Sequence, residues 1–149
     1  MATSESFETL CFISYSHKNL TFVEQLVKYL RQNGTKVWFD KTPNPDEGLP
    51  PGENWVEEIK LGIRNALNLV FIFTPEALAS PYCQAELYWA IQDGVRIILL
   101  RLDTTFNLEA FLDDIDPNKK MPPELGINFD TVKELAEENW KVLKTRQCV

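Results

Sequence analysis

Apolar and polar positions follow two rhythms along this chain: short runs that are apolar throughout, and longer segments whose apolar residues recur at helical spacing. Their alternation is the pattern of βα units built around a parallel sheet. Leu10 to Tyr15 (LCFISY) is rich in β-formers and has no helical period, so it predicts a buried first strand. Phe22, Val23, Leu26, Val27 and Leu30 then share a helical stripe, and Thr21 with Glu24 has capping-box spacing, which predicts a helix from Thr21 to Gln32. Asn33-Gly34 supplies the left-handed stop, and Lys36 to Phe39 (KVWF) predicts a second strand.

Asp40 to Glu53 (DKTPNPDEGLPPGE) holds four prolines and two glycines, too many for a helix or a central strand, and predicts a loop of functional length. Trp55 to Ala66 predicts a helix with Trp55, Ile59 and Ile63 on one side. Gly62 inside it costs about 1 kcal/mol relative to alanine unless close packing on the sheet requires it. Leu67 to Phe73 is apolar nearly throughout, as a central parallel strand should be.

Ser80-Pro81 is an N-cap followed by proline at the first helical position, opening a helix that ends near Gln92 before Asp93-Gly94. Arg96 to Leu102 predicts the fourth strand, Leu108 to Leu112 a short helix, and Ile127 to Phe129 a short edge strand. Asp130 is expected to cap a last helix with Val132, Leu135, Trp140 and Leu143 packed inward. These elements predict an α/β fold: a flavodoxin-like, doubly wound, five-stranded parallel sheet of order 2-1-3-4-5 with helices on both faces. Residues 1–8 read as a flexible lead-in, 9–146 as a single domain and 147–149 as a tail.

Composition narrows the function. The 149 residues carry 15 Lys plus Arg against 22 Asp plus Glu, a formal charge of −7, which argues against nucleic-acid binding through bulk electrostatics. Cys11, Cys83 and Cys148 are odd in number, widely spaced and without nearby histidines, which argues against a disulfide framework and a metal site. Met1 to Glu8 lacks the basic and apolar regions of a signal peptide. The longest apolar runs fall far short of the ~20 residues a membrane-spanning helix needs. A cytoplasmic protein in a reducing compartment, acting away from the membrane, is the expectation.

In doubly wound sheets ligands bind outside the carboxyl ends of the strands, where the strand order reverses. That address holds Ser14 to Asn19 after strand one, Asp40 onward after strand two and the residues from Thr74 after strand three. A phospho-acceptor receiver would want an aspartate closing strand three, and Thr74 stands there. A phosphate-cradling or dinucleotide loop would want glycines in the first βα turn, and SYSHKN has none. His17 is the single histidine, and no nucleophile motif surrounds it. In the helix after strand three, Tyr82, Glu86 and Trp89 fall on one stripe beside Cys83, Leu87 and Ala90. Periodicity alone leaves Glu86 open between a solvated helix position and the wall of a cleft.

Four motifs then stand in order. CFISYSHKN, VWFD with its Pro-Pro-Gly loop, W-x-x-E-I-x-x-G-I and S-P-Y-C-Q-A-E-L together resemble the Toll/interleukin receptor (TIR) domain family over Leu10 to Leu102. Some members cleave the nicotinamide glycosidic bond of NAD⁺ with the glutamate of the last motif, and Glu86 matches it. The resemblance therefore implies an NAD⁺ glycohydrolase or cyclase that signals in innate immunity or cell death. NAD⁺ would be a substrate, with no prosthetic group. It implies Glu86 as the catalytic residue and Tyr15, Ser16, His17, Asp40, Trp55 and Tyr82 around the dinucleotide; Trp55 is equally legible as a core anchor at a helix start. Tyr82 replaces the tryptophan of many members, and Ser16-His17-Lys18 stands where some enzymatic members place arginines.

The implied partners are other TIR domains, met through the Pro50, Pro51 and Gly52 loop. The segment Asp40 to Lys60 holds six acidic and two basic residues, a local charge of −4 that suits either a solvated face or a loop meeting a basic surface on another TIR domain. The alternative reading is a non-catalytic TIR–TIR adaptor module, with a flavin-binding module a distant third.

Overall fold

The computed structural model describes residues 10–39, 55–102 and 107–145. The Asp40 to Glu53 loop, Asp40 and Pro50-Pro51-Gly52 included, lies outside the described residues, as do Cys148, the lead-in and the tail. Four parallel strands form one sheet: β1 (Leu10–Ser14), β2 (Lys36–Phe39), β3 (Asn68–Phe73) and β4 (Arg96–Arg101), in the order β2-β1-β3-β4. Cys11 lies opposite Val37 on one side and Asn68 on the other, and Phe73 opposite Arg101. The helices are α1 (Leu20–Gln32), α2 (Trp55–Arg64), α3 (Pro75–Leu78), α4 (Pro81–Gln92), α5 (Leu108–Asp114) and α6 (Val132–Leu143).

Side-chain alternation along β1 divides the core in two. Cys11, Ile13 and Tyr15 point to the face covered by α1, where Val23 and Val27 are buried with them. Phe12 points to the other face, into a larger cluster with Ile59 and Ile63 of α2, Cys83 and Leu87 of α4 and Leu135 and Leu143 of α6. Burying a side chain such as Phe12 or Phe71, both fully inaccessible, contributes about 1.5–3 kcal/mol. Gly34 and Gly94 end α1 and α4 in the left-handed conformation, at φ 87° and 69°. Ser80 caps α4 by accepting a hydrogen bond from the Cys83 amide at 3.2 Å, as its sequence predicts.

Some expectations are corrected. Ile127 to Phe129 does not join the sheet, so the described residues form four strands and not five. Pro122-Pro123, in which Pro123 has no amide to offer a ladder, starts a 3₁₀ turn at Pro123–Leu125, and the chain closes its own loop instead through an isolated antiparallel bridge between Lys120 and Thr131. Ile127 and Phe129 serve as side-chain anchors, Phe129 meeting Tyr88 of α4 edge-on at 5.9 Å. Thr131, not Asp130, caps α6, in a reciprocal capping box with Glu134.

The Thr21–Glu24 box is also unused. A 3₁₀ turn at His17–Asn19 runs straight into α1, so Asn19 is the cap position and Thr21 lies already within the helix. Phe22, expected on the buried stripe, is 37% exposed. The one-turn helix α3 was not expected; Thr74 caps it by accepting from the Ala77 amide at 3.2 Å.

Candidate functional site

The site grows from the carboxyl end of β1. Ser14, the last residue of that strand, shares Phe12's side of the sheet and is fully inaccessible. Its hydroxyl donates a hydrogen bond of 2.6 Å to Oε1 of Glu86, across 72 positions of sequence. Glu86 is 9% exposed, so the solvated alternative left open by periodicity does not hold. The reason is the setting of α4, which packs against the sheet, α2 and α6 and buries eight of its twelve residues. A helix covered on nearly every side leaves few positions in water, and a glutamate on it must find a polar partner inside.

Cys83, one turn before Glu86, is 3% exposed. Burial pushes its thiol up to about 12, the Glu86 carboxylate adds to the shift, and hydrogen bonding with Ser80 and Ser14 opposes it. Ser14 therefore meets two groups of α4, a carboxylate and a thiol that stays protonated at neutral pH. Cys11, on the opposite face of the sheet, is likewise pushed up to about 11 by burial.

The aromatic neighbours divide into two groups. Tyr82, one turn before Glu86, lies with its ring centroid 5.7 Å from that of Trp55 at an interplanar angle of 47°, and both are half-buried beside the larger core cluster. Trp89, the third member of the stripe, is buried at 7% with the Lys60 ammonium of α2 5.3 Å from its ring centroid.

Tyr15 goes elsewhere. It is 6% exposed and packs on the α1 face, its ring 5.5 Å from that of half-buried His17 in a near-parallel stack and 6.2 Å from Phe39. Ser16 accepts from the Lys18 amide at 3.3 Å and so caps the turn that leads into α1. Of the residues picked out from sequence, Trp55 and Tyr82 meet, with Tyr82 one turn before Glu86 on α4, while Tyr15, Ser16 and His17 form a second group on the other side of the β1 terminus. Thr74, after β3, donates to the Asn19 side chain at 3.3 Å and ties the loops after β1 and β3 together.

Two features escaped the sequence reading. Ser14 stands at the ligand address by sequence, but its pairing with Glu86 is not legible there because it lies in an apolar run; the signal was its place on the same side of the strand as Phe12, facing the helix that carries the acid. The second is a buried amide pair behind α4: Gln84 donates to the Leu78 carbonyl at 3.0 Å, and Asn139 of α6 donates to the Gln84 side-chain and backbone oxygens at 2.8 and 3.1 Å. No group of three or more potential metal ligands occurs among the described residues, and no helix among them is long and apolar enough to cross a membrane.

The family model described as "TIR domain" matches residues 11–124. Among solved structures, the TIR domains of the activated Roq1 resistosome directly recognising the pathogen effector XopQ are similar, with a TM-score of 0.63 and 18% identity over 93% of this chain and 85% of that one. The TIR domain of the Toll-related receptor TRR-2 from the lower metazoan Hydra magnipapillata is similar at a TM-score of 0.50 and 17% identity, over 91% of this chain and 94% of that one. At these identities the likeness is one of fold. A search of curated proteins finds no match.

Proposed function

The chain belongs to the TIR domain family, and from that premise we propose that it is an NAD⁺ glycohydrolase or related cyclase that releases nicotinamide and signals in innate immunity or cell death once TIR domains self-associate. The observation that carries the reading is the placement of Glu86: a carboxylate on the family's glutamate motif, drawn in to 9% exposure at the carboxyl end of β1, where sheets of this type bind ligands.

The chemistry asks little of the protein. Nicotinamide leaves NAD⁺ as a neutral molecule: the bond from the ribose C1′ to the ring nitrogen breaks, its electron pair goes to that nitrogen, and no general acid is required. The ribose develops oxocarbenium-like charge, as in other glycosidic cleavages. Glu86 is the group that stabilises that cation and holds the ribose hydroxyls, acting through a fixed negative charge. Water attacking C1′ and giving its proton to solvent yields ADP-ribose; a ring nitrogen of the adenine as the attacking group yields a cyclic product. Tyr82 and Trp55 offer aromatic faces next to Glu86 for the nicotinamide or adenine ring. The group at Tyr15, Ser16 and His17, with Asp40, is assigned to the remainder of the dinucleotide.

The test is nicotinamide release, followed by mass spectrometry of NAD⁺ incubated with concentrated protein, beside Glu86→Ala. Turnover by the wild type that the variant lacks supports the reading. No turnover by the assembled wild type, or equal turnover by the variant, removes it.

The acidity of Asp40 to Lys60 favours a second reading, a non-catalytic module that recruits other TIR domains through Pro50, Pro51 and Gly52. Here NAD⁺ is left intact and Pro51→Ala lowers association in sedimentation; unchanged sedimentation of that variant counts against recruitment through this loop.

A further inference from the structure

We propose that Ser14 is the positioning residue for the Glu86 carboxylate: its hydroxyl, mounted on an interior strand of the sheet, fixes the orientation in which that carboxylate meets the ribose. The inference deepens the proposed reaction and rests on Glu86 being its catalytic group.

Three observations carry it. The first is the bond itself, 2.6 Å from Ser14 Oγ to Glu86 Oε1, at the short end for a hydroxyl donating to a carboxylate. A glutamate side chain has three rotatable bonds, and a helix alone leaves them unsettled. One short charge-assisted bond to a residue outside the helix selects among those conformers.

The second is the rigidity of the donor's mount. β1 is paired on both sides, with β2 through Leu10 to Ile13 and with β3 through Cys11 to Ser14, and Ser14 lies opposite Phe71 in that register. Sites held on strands keep their geometry better than sites held on loops. Ser14 stands at the end of this rigid rod, where the ordered backbone is about to turn away into Ser16 and His17.

The third is the direction of the proton. A serine hydroxyl has one hydrogen to give and two lone pairs with which to accept. The carboxylate takes the hydrogen. Cys83, the other α4 group in hydrogen-bonding reach of Ser14, is kept a neutral thiol by its burial and is a weak acceptor beside the carboxylate. A neutral thiol competes poorly with a carboxylate for that hydrogen, which goes to Glu86.

The experiment compares wild type, Ser14→Ala, Ser14→Thr and Glu86→Ala by steady-state nicotinamide release from NAD⁺, each checked for folding by thermal melting. The expected result for Ser14→Ala is a kcat lower by about tenfold to a hundredfold, the scale of a misplaced catalytic group, with KM changed by less than about threefold. Ser14→Thr keeps the hydroxyl and recovers most of kcat. In Glu86→Ala, adding Ser14→Ala lowers residual turnover no further, because the group it positions is gone. A crystal structure of Ser14→Ala shows the Glu86 carboxylate moved from its wild-type position, a readout that holds even where a threonine does not fit.

A folded Ser14→Ala with wild-type kcat beside an inactive Glu86→Ala overturns the role of Ser14 and leaves the enzyme standing. So does a Ser14→Ala crystal structure with Glu86 unmoved. A silent wild type, or Glu86→Ala as active as wild type, overturns the reaction itself and the positioning role with it.

Discussion

Ser14 and Glu86, 72 residues apart in sequence, are joined by a buried hydrogen bond of 2.6 Å that pins the middle of α4 to the end of β1. The bond serves both fold and site. It gives the buried carboxylate a polar partner that offsets the cost of its burial, and it brings the acid to the carboxyl end of the sheet, where the loops after β1 and β3 are tied together.

Glu86→Gln separates these two roles. Glutamine keeps the shape and an oxygen that accepts from Ser14, but not the charge. Nicotinamide release should fall by about 10²- to 10³-fold, the range for removing a preorganised electrostatic contact, while the thermal midpoint stays within a few degrees of wild type. A variant retaining more than a third of wild-type turnover would show that the negative charge is not needed.

The buried amide pair holds α4 from behind. Gln84 is 1% exposed, and Gln84→Leu keeps most of its volume while leaving the Leu78 carbonyl without its side-chain donor and depriving Asn139 of one acceptor. The expected cost is about 1–3 kcal/mol in chemical denaturation, the range for stranded buried polar groups. A midpoint equal to wild type would mean that the pair contributes nothing net.

Gly62 proves less constrained than its place in a helix implies. A Cβ at this position would lie 3.4 Å from Phe12 Cε2 and 3.7 Å from Trp38 Cδ2, ordinary van der Waals contacts above two rings that are themselves stacked at 4.7 Å. Gly62→Ala should therefore gain the helix-propensity difference of up to about 1 kcal/mol in unfolding free energy. A loss of stability would show that this interface does not accept one more methyl group.

The thiols set a pH dependence of stability. Cys83 and Cys11 are raised from the ordinary value of 9.0 to about 12 and about 11. Between these limits the unfolded chain has released protons that the folded chain keeps, so unfolding gains and stability falls as pH rises from 9 toward 12; below 9 the contribution is complete. Denaturation midpoints of wild type and Cys83→Ala across pH 8 to 11 isolate it, because the two proteins share every other group. The wild-type curve should fall more steeply, and parallel curves would contradict the assignment.

The elements of the fold were legible because their signals are local. The apolar runs at Phe12 and Phe71, the helical stripes through Val23 and Val27 and through Ile59 and Ile63, the Ser80-Pro81 start and the Gly34 stop depend on residues within a turn or two of each other. The order of the first four strands is as expected, an order that right-handed crossovers make plausible but do not fix. The expectations that failed depended on competition: Asp130 against Thr131 as a cap, Thr21 against a 3₁₀ turn that had already begun the helix, and a three-residue strand at Ile127 against a loop that closes on itself.

For the candidate site, the sequence by itself determined the candidates: Glu86 on its motif, with Tyr82 one turn away on the same stripe. Only the tertiary structure decided that Glu86 is buried, that Ser14 is its partner, that Trp55 meets Tyr82, and that Tyr15 turns to the opposite face of the sheet. Helical periodicity gives the direction of a side chain relative to its own axis and says nothing of what stands opposite. The burial of Glu86 results from three neighbours enclosing α4, and its hydrogen bond from a strand 72 residues earlier ending level with the second turn of α4.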